Sequence, residues 1–285
     1  MRDAMNPMTV VRKSSHRRAG SRLELLVRLG ALGLMGALLL PLLPLFIWSL
    51  SGRWLFPAAL PTEWGMRAWL YLATPGARVG EALGNSLLVA IAVTLVAIPI
   101  AIPAGRVLGL ARFRGKGFVQ FLILAPTVVP TFAAAMGIQV LFIRYGLADT
   151  HVGVILVHLI PVVPYAVLIL AGTFATYDVD YEQQARVLGA GAWTIWWRVT
   201  LPAIRPGVVV AALFAFLISW GQYLLTLLIG GGNVLTLPIL LLAFAGSSDH
   251  SLTAALSLVL MGPALVALLL STRALIQHDT ALRGV

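Results

Sequence analysis

The chain has 285 residues, of which 60% are hydrophobic and 11% charged, with a mean hydropathy of +0.95. A soluble domain carries about a quarter charged residues, whereas here the apolar excess falls in blocks of about 20, the helix length that crosses a bilayer core; short alternating strands of a membrane barrel do not occur. The formal charge of +10 does not mark a nucleic-acid binder, because the basic residues flank apolar blocks instead of clustering with aromatics, and a chain without cysteine has no disulfides and no thiolate metal site.

Taken in order, residues 1–22 read as a basic tail. The apolar block 25–50 has no small-residue cleavage site after it, so it reads as a retained first span and not as a removed signal. The gap from 53 to 80 holds Pro57, Pro61 and Pro75 with Trp54, Trp64, Trp69 and Tyr71, side chains that favour the membrane boundary. Five further spans follow at 83–108, 118–143, 152–174, 208–229 and 252–274.

Proline pairs occur inside four of the six spans: Pro41 and Pro44, Pro99 and Pro103, Pro126 and Pro130, Pro161 and Pro164. Each pair falls near one helix face, where proline removes a backbone donor and bends the helix. The pairs read either as hinges and cavity walls or as static packing.

Of the 20 basic residues, all but Arg53, Arg67, Arg78 and Arg144 fall on one side of these spans. The positive-inside rule places that side in the cytoplasm, with both termini. The expected fold is an all-α membrane protein of six transmembrane helices. Its divisions are the tail 1–22, the first helix and outer loop 23–80, a core 81–278 and a tail 279–285. The core holds five spans and a cytoplasmic loop, 175–206.

That loop is too polar to span. The segment 181–188 reads as a short helix opened by Asp178 or Asp180. Gly189 and Gly191 break it, with a positive φ expected at Gly189. The segment 193–199 reads as a second short helix with Trp193, Trp196 and Trp197 on one face, ended by Leu201-Pro202. From the residues alone it is either a docking element or an amphipathic loop lying on the membrane.

The spacing of this loop resembles the conserved cytoplasmic loop of binding-protein-dependent (type I) ABC importer permeases. The family pattern is Glu-Ala-Ala, three residues, Gly, nine residues, Ile, one residue, Leu-Pro. Ala185, Gly189, Val199 and Leu201-Pro202 fall on it. Gln183 and Gln184 stand where Glu and Ala are expected, and Glu182 is the nearest carboxylate. The resemblance runs from Asn85-Ser86 to the last span. It takes in Gly146-Leu147, His158, Pro161, Pro164-Tyr165, Ser219-Trp220 and Thr236-Leu237-Pro238. These later features are more similar to the polyamine, thiamine and iron branch than to the sugar branch.

The resemblance implies a type I permease bundle in a bacterial inner membrane, and a transport subunit rather than an enzyme. The implied partners are two ATPase subunits that bind the ATP and Mg, a second permease forming a heterodimer, and a periplasmic or lipid-anchored solute-binding protein, with membrane lipid around them and no nucleic acid. The loop residues Glu182, Gln183, Ala185, Gly189, Leu201 and Pro202 would couple to the ATPase.

No GxxxxGK[ST] loop, nucleophile triad or metal-binding spacing occurs, so no cofactor and no metal are expected on this chain. In the fifth span Ser219, Gln222, Tyr223 and Thr226 share one helix face, read either as translocation path or as interhelical hydrogen bonding. His158 lies inside a span, as a functional group or a neutral hydrogen-bond partner. Gly230 to Asn233 forms a turn or a loop that probes the binding protein. The competing reading, an ion-coupled secondary transporter without an ATPase, calls for intramembrane acids and inverted repeats. The spans show neither.

Overall fold

The computed structural model of the chain describes residues 29–283, apart from 31, 32, 35, 38, 55–57, 59 and 130. Helix α1 (Leu42–Ser49) leads into a two-stranded hairpin, β1 (Ser51–Arg53) with β2 (Glu63–Trp64), and a short helix α2 (Arg67–Leu72). Helix α3 (Val79–Leu110) follows, then α4 (Lys116–Val128), α5 (Thr131–Arg144) and α6 (His151–Ala175). The loop contributes α7 (Asp180–Val187) and α8 (Ala192–Ile195). A widened π turn (Trp196–Thr200) carries the chain into α9 (Leu201–Trp220). The chain closes with α10 (Leu224–Gly230), α11 (Leu237–Gly246) and α12 (His250–Arg283).

Among the described residues, four helices are long and apolar enough to cross a membrane: Val79–Leu110, His151–Ala175, Ala192–Trp220 and His250–Ile276. The bent pair α4 and α5 makes a fifth if it is one span. The expected first span, 25–50, lies in part outside the described residues. Large apolar side chains such as Leu95, Phe121 and Val140 are exposed on the outside of the bundle, as befits helices whose solvent is lipid.

Helices α3, α6 and α9 form the centre. Glycine sets how closely α3 approaches α6. A Cβ on Gly105 would lie 2.7 Å from the Leu170 Cβ, and one on Gly109 2.5 Å from the Phe174 Cβ. Hydrogen at both positions lets the backbones touch. Local chemistry fixes the helix starts. The Thr150 side chain accepts the Gly153 amide at 3.0 Å to open α6, and Glu81 in the first turn of α3 pairs with Arg78 at 2.7 Å.

Three expectations are corrected here. The span expected over 118–143 is two helices meeting at 89°. Val129 is extended at the corner, as a residue before proline must be. Leu201-Pro202 does not end the second loop helix: helix runs unbroken from Ala192 to Trp220. Proline sits in the first turn of α9, next to the π turn, where its missing N–H costs least. The span expected over 208–229 is itself broken. Helix α9 stops at Gly221, and α10 begins only at Leu224. The four polar residues of that span therefore do not share one helix face.

Candidate functional site

The loop between α6 and α9 folds as an elbow. Asp178 accepts the Asp180 amide at 2.9 Å at the entry to α7. The exit is a glycine stop: Gly189, at φ +81°, lets the Ala190 amide reach back to the Ala185 carbonyl at 3.0 Å. Ala185 and Gly189 are thus the two halves of one turn. The outward surface carries Val187 and Leu188, 88% and 87% exposed. Gln183 and Gln184 line a shallow pocket beside them with Asp180. Trp193 is exposed and meets Trp197 edge to face at 5.5 Å. The elbow thus ends in an exposed apolar tip with a polar rim.

Glu182 points the other way. It is 4% exposed, and Arg106 of α3 grips both its oxygens, at 2.8 and 2.9 Å. The hydroxyls of Thr200, at 2.8 Å, and Tyr177, at 3.1 Å, donate to the same carboxylate. These hydrogen bonds, Arg106 foremost, hold its pKa down to about 2 against the opposing effect of burial. The carboxylate nearest to the family's Glu position therefore faces the bundle, and Gln183 faces outward. Leu201 borders an apolar cavity of about 440 Å³ between the π turn and the proline bend of α3; Pro202 is exposed.

The second site lies at the break between α9 and α10. His158 of α6 is buried and bridges it, with Nδ1 2.9 Å from the Ser219 Oγ and Nε2 2.9 Å from the Thr226 Oγ1. Thr226 also donates to the Gln222 carbonyl at 3.1 Å. The one hydroxyl proton of Thr226 goes to the Gln222 carbonyl, so Thr226 accepts from Nε2–H, and in the neutral tautomer that carries this proton Nδ1 accepts from Ser219. The ring is neutral in this arrangement. Ser219 and Thr226 are thus tied up as hydrogen-bond partners of His158.

Gln222 is placed differently. It lines a cavity of about 420 Å³ with Thr127, Tyr165, Phe214, Ile218 and Leu225, next to Pro126 and Pro161. Tyr223 is half-buried and does not line it. The cavity opens where α4 bends into α5, where α6 carries Pro161 and where α9 stops.

Two other sequence features meet each other. The Asn85 side chain donates to the Leu235 carbonyl at 2.9 Å, and the Ser86 hydroxyl accepts the Leu237 amide at 2.9 Å. The opening of α3 thereby caps α11. Gly230 to Asn233 is a turn, with positive φ at Gly231 and Gly232 and the Ile229 carbonyl bonded to the Asp149 amide at 2.7 Å. At this end a cavity of about 710 Å³ is lined by Trp48, Arg53, Trp54, Arg67, Asp249 and His250. Arg67 pairs there with Asp249 at 2.8 Å.

Sequence reasoning missed Arg106, Tyr177 and Thr200. Arg106 carried a signal as the one cation inside the expected span 83–108. The two hydroxyls carried none.

Residues 97–278 match the family model described as binding-protein-dependent transport system inner membrane component. The chain is 33% identical over 238 residues to the molybdenum transport system permease protein ModB of Mycobacterium tuberculosis, covering 78% of this chain and 89% of that protein. It is 33% identical over 136 residues to the molybdate/tungstate transport system permease protein WtpB of Pyrococcus abyssi, 48% of this chain and 54% of the relative. It is 28% identical over 169 residues to the diacetylchitobiose uptake system permease protein NgcG of Streptomyces coelicolor, 59% of this chain and 56% of the relative. Among solved structures, a chain of a bacterial ABC transporter involved in the import of the acidic polysaccharide alginate superposes with a TM-score of 0.66. It covers 89% of this chain and 97% of that one at 16% identity, a likeness of fold.

Proposed function

The chain belongs to the family of binding-protein-dependent transport system inner membrane components, and from that premise we propose that its Gly189 elbow seats in a separate ATPase subunit while the break at 221–223 borders the solute path. The chain is a permease subunit of an ABC importer, a multi-pass inner-membrane transport component and not an enzyme. The ion-coupled alternative falls away with that membership.

The observation that carries the docking is the exposed apolar tip at Val187 and Leu188 beside a glycine stop. ATP and Mg are bound by the ATPase, which closes in pairs and drives the elbow. The bundle then turns between inward-open and outward-open states as a two-state element biased by nucleotide. A full importer holds two ATPase subunits and a second, different permease, with the solute-binding protein meeting the end that carries Trp48 and Arg67. Six spans with both termini in the cytoplasm complete the reading. A cysteine at Gly191 then reacts only once the cytoplasmic face is opened, and one at Gly76 reacts in intact cells.

The solute we assign is an oxyanion of the molybdate and tungstate kind. A molybdenum transport permease and a molybdate/tungstate transport permease are among the relatives. The cavity at Gln222 offers the Gln222 amide and the Tyr165 hydroxyl as donors, the Thr127 proton being given to the Leu124 carbonyl, and has no Asp or Glu in its lining, which suits an anion and not a polyamine.

Uptake of labelled molybdate in host cells tests both parts. Loss of the chain abolishes it, and so does Gly189→Asp, since a side chain at φ +81° costs about 1 kcal/mol and distorts the elbow. Undiminished molybdate uptake without the chain sinks the substrate assignment. Undiminished uptake in the Gly189→Asp strain sinks the docking.

A further inference from the structure

Helix α7 has one buried side chain, and it is charged. That side chain is Glu182. No buried apolar residue anchors this helix to the bundle; Val187 at its end and Leu188 just beyond it are exposed. What holds α7 in place is a carboxylate whose donors come from three separate segments. Arg106 comes from the end of α3, Tyr177 from the link after α6, and Thr200 from the π turn that opens α9. The Arg106 guanidinium also lies 5.7 Å from the centre of the Phe174 ring on α6. One turn further on, Gly109 lets α3 press directly against α6.

A buried ion pair is a weak source of net stability, because desolvation offsets most of the attraction. A bidentate pair is a strong source of fixed geometry, since two parallel hydrogen bonds allow one orientation. The joint between α7 and the spans has the chemistry of the second kind of device.

We propose that Glu182 is a positioning residue of the coupling machinery: its carboxylate is the joint through which a displacement of α7 passes to α3, α6 and α9 at once. The proposal rests on the docking of the elbow in the ATPase and supplies that docking with its route into the spans. A loop held by apolar packing alone could slide under load. A carboxylate gripped from three sides moves only with its donors.

The test uses the assembled importer in liposomes, with its ATPase, partner permease and binding protein. Two readouts are taken. One is solute imported per ATP hydrolysed; the other is cross-linking of Leu188→Cys to the ATPase. Arg106→Met with Glu182→Leu removes the pair without stranding a charge. The cross-link is expected to persist while the import ratio falls about tenfold, the scale of a typical coupling energy. A wild-type ratio with the cross-link intact overturns the joint.

Tyr177→Phe with Thr200→Val keeps both charges and removes two donors, so it stays informative if the first pair of changes fails to assemble. Its ratio is expected to fall about threefold, each lost donor weakening the grip modestly. An unchanged ratio there also overturns the joint. Absence of the cross-link in the otherwise unaltered chain sinks the docking itself, and the joint with it.

Discussion

Glu182 and His158 are both buried polar side chains that tie separate helices together, one with a full negative charge and the other with a single ring proton. The charged centre sits at the end of α3, where an arginine reaches it and four hydrogen bonds converge on its oxygens. The neutral centre sits among the spans and holds two hydroxyls. The contrast follows from where each lies. Far from the headgroups a charge is costly, so a ring that can donate on one side and accept on the other is the cheaper link. The two also differ in what happens when they open. A carboxylate that loses its arginine is left as a buried charge with no cation, held by two neutral hydroxyls alone. A hydroxyl that loses His158 can turn to a nearby backbone carbonyl, as Thr226 already does to Gln222. The first arrangement resists motion and the second permits it.

The largest effect should come from breaking the charged centre on one side only. Arg106→Ala leaves Glu182 buried and unpaired, a defect that costs about 3–5 kcal/mol. Thermal unfolding of the purified complex should show a lower melting temperature than for any change around His158. If Arg106→Ala costs no more than those changes, the two hydroxyls suffice for Glu182 and the comparison fails.

The next effect depends on acid. In the folded chain the Glu182 carboxyl is held down to about 2, chiefly by Arg106, against an ordinary value of 4.5. Above pH 4.5 it is ionised in both the folded and the unfolded chain, so its full contribution is present. As pH falls from 4.5 to 2 the unfolded chain takes up the proton first, and about 3 kcal/mol of stability drains away. Melting of the native complex should therefore be insensitive to this group from pH 8 to 5. It should fall below pH 4.5 relative to the Arg106→Met, Glu182→Leu form. Parallel acid profiles for the two forms would show that the carboxylate is not held as described.

How far these centres could be read from the sequence depended on distance along the chain. The elbow was legible because its parts are close together: Ala185, Gly189 and Leu201-Pro202 keep a fixed spacing, and the glycine stop is local chemistry. Helix length and apolarity placed α3, α6 and α12 for the same reason. The breaks were not legible. The apolar run 208–229 gives no warning at Gly221, and the side chain that bridges the break, His158, is 61 residues from Ser219 and 68 from Thr226. Leu201-Pro202 reads as a stop by local rule, yet the π turn before it absorbs the missing donor and helix continues. Arg106 and Glu182 are 76 residues apart, and only the packing of α3 on α6 brings them together. Their union also shows why Glu182 and not Gln183 is the acid here: the position one residue earlier faces the bundle, where a charge has a partner.

The smallest effect concerns the neutral centre taken apart one hydroxyl at a time. Ser219→Ala removes the donor to Nδ1, and Thr226→Val removes both the acceptor of Nε2–H and the donor to the Gln222 carbonyl. Each interhelical hydrogen bond within a membrane protein gives about 0.6 kcal/mol, so both changes should lower the melting temperature only slightly, Thr226→Val the more. Their consequences for uptake should differ in kind. Thr226 fixes the carbonyl of the residue whose side chain enters the cavity, whereas Ser219 only steadies the ring. Thr226→Val should therefore reduce solute uptake by more than its effect on stability accounts for, and Ser219→Ala should not. Equal losses of uptake from the two would mean that His158 serves packing alone. A loss larger in Ser219→Ala would place the working side of the break on α9 instead of at Gln222.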